Sequence, residues 1–344
     1  MSGTSQINRG PATKDDPGQR SMKSRVVLLS ILVIFLHWPV SSPAEPRNPV
    51  FALTLPGLEW ALEISAPGFD VEKRTLGPRG DSIYLFASSK ETHLIISAFL
   101  EKAPRKVTSK ECRDFYWSGT KKTPLKKEQI EMYDFGGMAI VEYMVPTFQG
   151  RETNQKNLFA YFARDNYWAY IHLSKIRFVS GEKGLFNRIL TSVKFNESYN
   201  PTALDLLEFG NRSLFRKDFQ GAISYYGKAL NLDKHRKSLG RKGWILLVDQ
   251  LGMSYGLSGD FIRAQETYEW AISQEPEYPM FFYNLACAYA EMDKMEDALH
   301  NLRLAYKYKG KVLAGQEFPN PRSDSSFKKY LNNKIFMAEL QKMK

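Results

Sequence analysis

Two short motifs and five histidines are the residues of this 344-residue chain whose types and spacing could do chemistry. Gly252-Met253-Ser254-Tyr255-Gly256 has the Gly-x-Ser-x-Gly spacing of a serine nucleophile. That chemistry needs a sharp strand-to-helix turn, so that the hydroxyl stands clear of the backbone. Here Gly252 and Tyr255 fall at packing positions of a continuous helical pattern, so Ser254 is expected inside a helix and inert. Asp134-Phe135-Gly136 has the letters of a magnesium-holding tripeptide of kinases but none of its companion elements, and reads as a turn. Among His37, His93, His172, His235 and His300 no pair has the helical spacing of metal ligands, and no Cys-x-x-Cys accompanies them. His93 and His172 fall on expected strands and could approach one another, although strand histidines more often pack or face water. There is no Walker loop and no Gly-x-Gly-x-x-Gly, so nucleotide binding has no support. Tyr161, Phe162, Tyr167, Trp168 and Tyr170 crowd together as sheet core or, as the alternative, an aromatic ligand cleft. No catalytic residue, metal ligand or cofactor is expected.

The elements that would hold any site follow from periodicity. Between 245 and 310, Leu251-Gly252, Tyr255, Gly259-Asp260-Phe261, Ala264, Tyr268, Ala271 and Pro276 keep three-or-four spacing, and Phe282, Leu285-Ala286, Tyr289, Ala298, Leu302 and Ala305 repeat it. Ala264 and Ala298 lie 34 residues apart. This resembles the tetratricopeptide (TPR) repeat, a pair of antiparallel helices in which small residues let helices cross closely and tyrosines fill the gaps beside them. Leu206, Phe209-Gly210, Phe219, Ala222, Tyr226 and Ala229 form an earlier repeat. It departs from the pattern at Ser213 and Lys234, and Ala222 lies 42 residues before Ala264. The surplus falls in 234–242 and lengthens a helix or a loop. Phe327, Tyr330, Leu331, Ile335, Phe336 and Leu340 are expected to cap the open end of the stack.

Residues 50–195 read differently. Ala139, Val141, Tyr143 and Val145 alternate along Met138–Val145, and Gly136-Gly137 makes a hairpin with 129–133. Strands are also expected over 158–163, 167–173, 83–88 and 93–101. Helices are expected around 109–118 and over 183–192, the latter with Phe186, Ile189 and Leu190 on one face. The order of elements, with Leu58-Glu59-Trp60 at the start and Val193-Lys194-Phe195 at the end, resembles the PsbP-like fold. That resemblance implies an accessory or binding role rather than catalysis. The expected fold class is an α+β N-terminal domain, an antiparallel sheet with helices, followed by an all-α TPR solenoid. The expected boundaries are 1–44, 45–198 and 199–344.

Hydrophobic residues make up 43% and charged residues 25%, an ordinary globular balance. The net charge of +11 comes from Lys and Arg interspersed with acids, without a basic block carrying aromatics, so no nucleic acid partner is expected. Met22-Lys23-Ser24-Arg25, the apolar run Val26 to Leu36 and the small-residue exit Ser42-Pro43-Ala44 have the order of a signal peptide behind a polar extension, with either Met1 or Met22 as the start. The apolar run is shorter than the roughly 20 residues of a membrane span. Membrane contact is expected only through this segment if it stays uncleaved. The expected location is periplasmic or secreted. Cys112 and Cys287 are expected as buried thiols, with a bridge between them the lesser alternative.

These readings converge on an exported, non-enzymatic protein that binds a protein or peptide partner in a TPR groove. The alternative is a hydrolase or ligand carrier with its site in the α+β domain. In a TPR stack the first helix of each pair lines the groove. The resemblance places Leu207, Asn211 and Phe215 there in repeat one, Asp249 and Met253 in repeat two, and Tyr283, Asn284 and Cys287 in repeat three. These positions lack the Lys, Asn and Arg set that grips a terminal carboxylate, and suit an amphipathic helix or an apolar peptide.

Overall fold

The computed structural model describes residues 50–236 and 238–343. The signal segment and the polar extension lie outside the described residues. The chain separates into two compact units: one built on Glu63–Lys73 and Leu85–Val193, the other on Ala52–Leu62, Arg74–Tyr84 and Lys194–Lys344.

A seven-stranded sheet has the order β3 (Asp70–Leu76), β4 (Ser82–Ser88), β5 (Ile95–Lys102), β9 (Tyr167–Lys175), β8 (Arg151–Arg164), β7 (Met138–Phe148), β6 (Glu128–Phe135); β5 to β9 lie wholly in the first unit, while Arg74–Leu76 of β3 and 82–84 of β4 count with the second. The pairs from β5 through β6 are antiparallel. Gly136 and Gly137 both take positive φ, 56° and 81°, which is the conformation a two-residue hairpin turn needs and which glycine adopts without strain. Asp134 is thus a turn-side residue paired with Lys110 at 2.9 Å. β7 runs past Val145 because Pro146 sits at a register shift rather than ending the strand. β8 begins at Arg151, earlier than periodicity places it, since its polar first half pairs beyond the apolar core.

Helix α1 (Ser109–Lys121) starts in a Thr108–Glu111 capping box and buries Cys112, Tyr116 and Trp117 against the sheet. Opposite them lie Val141, Tyr143, Tyr161 and Trp168. Tyr161 is 1% exposed and its ring stacks on Tyr116 at 6.2 Å, so Tyr161 and Trp168, with Tyr170 beside them, are packed core, while Phe162 is buried apart from this cluster and Tyr167 is half-buried. His172 faces Ser97 (3.4 Å) and Asn157 (3.0 Å), and burial holds its pKa down to about 3. His93 lies exposed in the turn before β5, so the two histidines do not share a site. Cys112 and Cys287 are free thiols. Helix α2 (Lys183–Ser192) buries Phe186, Ile189 and Leu190. A separate three-stranded sheet has the order β1 (Val50–Leu53), β2 (Ala61–Ser65), β10 (Lys194–Asn196).

In the second unit three antiparallel helix pairs follow one another: α3 (Ala203–Phe215) with α4 (Phe219–Arg236), α5 (Gly240–Leu257) with α6 (Phe261–Gln274), and α7 (Pro279–Glu291) with α8 (Met295–Lys307). The eight surplus residues lengthen both α4 and α5 to 18 residues, against 13 or 14 in the other four. Thr202 and Asp205 box the start of α3, and Pro279 occupies the first turn of α7, where its missing N–H costs nothing. No described helix is long and apolar enough to cross a membrane.

Candidate protein-binding face of the helical repeats

Each helix pair closes on one contact between a small residue and a large one. A Cβ added to Gly210 would stand 2.4 Å from Tyr226, and one added to Gly252 would stand 2.5 Å from Tyr268. The same positions of repeat three hold Ala286 and Leu302, both fully buried. Ser254 is fully buried in α5 and donates its hydroxyl to the Gln250 carbonyl at 2.7 Å, so it is a helix residue with its hydrogen bond made inside the helix.

These contacts fix how the first helices, α3, α5 and α7, are rotated. Leu207, Asp249 and Tyr283 occupy equivalent positions and are all buried, at 7%, 6% and 2% exposure. Asn211, Met253 and Cys287 are the next equivalent set; Asn211 is exposed and the other two are half-buried. Phe215, at 73%, is fully open. The open rows therefore run 204-208-211-215 on α3, 246-250-253-257 on α5 and 280-284-287-291 on α7, none of them buried. They lie one residue, or about 100° of helix, round from 207, 249 and 283. Sequence reasoning missed Leu204 (47% exposed) and Leu257 (53%), which the repeat offset of 42 residues relates to Leu246 and Phe215.

Asp249 and Asn284 join repeats two and three. Asn284 Nδ2 donates to Asp249 Oδ1 at 2.7 Å, and the Tyr268 hydroxyl donates to the Asp249 carbonyl at 3.0 Å. Burial pushes the Asp249 carboxyl up to about 6, with the Asn284 hydrogen bond pulling the other way. Tyr283 is closed off by the chain's own C-terminal segment. Its hydroxyl donates to Asp324 Oδ2 at 2.9 Å, and its ring meets Phe318 and Phe327 edge-on at 5.8 and 5.9 Å. Cys287 Sγ lies 3.8 Å from the same Asp324 oxygen. Phe327 and Phe336 are fully buried beneath this cap, whereas Ile335 of helix α9 (Lys334–Lys342) is 65% exposed.

At the other end of the stack Arg74 is bonded to both Asp205 and Glu208 of α3. Asp205 Oδ2 also accepts from the Tyr199 hydroxyl and from Thr202, all at 2.7 Å. Arg212 donates to the Leu76 carbonyl at 2.6 Å, and Trp60 meets Phe195 edge-on at 5.4 Å. Both ends of the stack are therefore occupied by the unit's own residues, and repeats one and two keep the open rows. The three rows contain leucine, phenylalanine, methionine, cysteine, amides and two glutamates, with no lysine or arginine. Arg212 lies beside them, over the Phe215 ring at 5.2 Å.

No family model and no curated protein matches the chain. Solved structures resemble it in part. The TPR domain of Sgt2 from Aspergillus fumigatus is 18% identical over 42% of this chain and 78% of that one, with a TM-score of 0.30. MamA is 21% identical over 32% of this chain, with a TM-score of 0.28, and the match spans 60% of MamA's own length. Cyanobacterial PsbP from Synechocystis sp. PCC 6803 is 13% identical over 46% of this chain and 100% of that one, with a TM-score of 0.31.

Proposed function

We propose that this chain is an exported, non-enzymatic interaction protein that holds a protein or peptide partner along the open first-helix rows of repeats one and two. The observation that carries the reading is the rows themselves. Phe215 and Leu257 stand exposed at equivalent positions, with Leu204, Leu246 and Met253 along the same faces. Apolar side chains exposed in repeated register are an interaction surface when none of the described residues covers them. The rows hold no cation, and Arg212 beside them already donates to the Leu76 carbonyl, so an acidic chain terminus finds no set of counter-charges there. An amphipathic helix laying its apolar face on Leu246, Met253 and Leu257 fits. Because the contact is apolar, its affinity changes little with salt.

Support for the non-enzymatic part comes from Ser254, whose hydroxyl is spent on its own helix, and from the filled aromatic core under α1. Support for export comes from the basic start, apolar core and small-residue exit of 22–44. The binding part is tested by affinity capture from an envelope fraction with the mature chain, in parallel with the double variant Met253→Glu, Leu257→Glu. A stoichiometric partner captured by the parent and lost with the variant is expected. A partner retained equally by both would move the site elsewhere. N-terminal sequencing of the fractionated protein tests export, with a start near Glu45 expected; residues 1–44 intact on a cytosolic chain would overturn it.

A further inference from the structure

The outer edge of the seven-stranded sheet carries a second and separate surface. β6 pairs with β7 alone, and none of its residues belongs to the core beneath α1. Edge strands are normally guarded by lysine, proline or a covering element, because their free N–H and C=O groups template further pairing. β6 has neither lysine nor proline; a bulge between Glu128 and Glu131 interrupts its first half, and the strand exposes Ile130 (46%), Met132 (45%) and Phe135 (39%). The opposite edge, β3, exposes Val71 and carries the exposed Lys73.

We propose that β6 accepts an added strand from a protein partner, an extended peptide in which apolar and basic residues alternate. The strand carries a bulge between Glu128 and Glu131, and from Glu131 onward it alternates regularly, with Glu131 opposite Glu142 on one face and Met132 opposite Val141 on the other. Glu128 and Asp134 hold exposed pairs with Lys126 (2.6 Å) and Lys110 (2.9 Å), whereas Glu131 has no ion pair among the described residues. A peptide residue beside Met132 is therefore apolar, and its neighbour beside Glu131 is a lysine or arginine. A second copy of the chain fits worse. Antiparallel β6 pairing would set three acids of one copy along three of the other, and like charges across strands repel.

The test uses the full chain and a capped heptapeptide alternating lysine and valine, read by amide hydrogen exchange and fluorescence anisotropy. Binding with new protection of amides in 129–134 is expected. Glu131 is exposed, so Glu131→Lys leaves the fold intact; it should weaken the peptide about fivefold and favour a glutamate–valine counterpart. Met132→Lys should abolish binding of both peptides. Binding without protection of β6, or indifferent to Glu131→Lys, would overturn the proposal. So would concentration-dependent dimerisation lost on Met132→Lys, because the edge would then serve a second copy.

Discussion

The two ends of the helical stack are closed by opposite means. At the first end Arg74 reaches two carboxylates of α3 in a largely buried cluster. At the last end Phe327 and Phe336 bury apolar rings against repeat three; the Tyr283 to Asp324 bond lies beside them, and the ion pairs Lys329–Asp293 and Arg303–Glu339 flank them nearer the surface. A helix pair cannot bury its own apolar faces, so a short stack must be terminated on both sides. The charged closure depends on every partner being present. The apolar closure depends on volume and degrades gradually as volume is removed. What remains unclosed is the open rows between the two ends, and the proposed binding face lies there.

The largest effect should come from breaking the charged end. Arg74→Ala leaves Asp205 and Glu208 buried without their cation, a loss of about 3–5 kcal/mol in chemical denaturation. The triple variant Arg74→Met, Asp205→Asn, Glu208→Gln removes charge from all three and should recover most of it. If the single variant melts like the parent, the cluster does not hold α3. Phe327→Ala tests the apolar end, with a loss of about 3 kcal/mol. Fluorescence of nearby tyrosines and faster amide exchange in α7 should report the same opening.

Much of this stack was legible in the sequence. The period of small and aromatic residues gave the helix pairs, and helical spacing from Phe327 to Leu340 gave the apolar cap. Gly136-Gly137 gave the long hairpin. The charged end was not legible, because Arg74 and Asp205 are 131 residues apart and no periodicity links them. The orientation of the first helices was only half legible. Periodicity says that Leu207, Asp249 and Tyr283 are equivalent, but it does not say which neighbour covers them. The crossing of adjacent first helices decides that, as the Asn284–Asp249 bond shows, and it turns the open row by one residue.

Gly252→Ala sharpens the packing side of the comparison. Its Cβ would meet the Tyr268 ring at 2.5 Å, so overpacking should cost about 1–3 kcal/mol despite alanine's better helix propensity. An unchanged melting temperature would mean the crossing is looser than described.

The smallest effect has the opposite sign. The Asp249 carboxyl titrates near 6 when folded, above its ordinary value near 3.9. The folded state therefore binds more protons between about pH 4 and 6, and stability falls as pH rises through that window. Asp249→Asn removes this penalty and keeps an acceptor for Asn284. It should stabilise the protein by about 1–2 kcal/mol at pH 7 and by almost nothing at pH 4. A gain that is equal at both pH values would assign the effect to something other than the buried charge.

The central claim is that a partner lies on the open rows of repeats one and two. Site-specific photocrosslinking tests it most directly, with a photoreactive side chain placed at Leu257 in one variant and at the exposed His300 of α8 in another. The account predicts a single partner crosslinked through position 257 and none through position 300, unchanged by raised salt. Crosslinking through 300 alone, or a yield at 257 that collapses with salt, would contradict it.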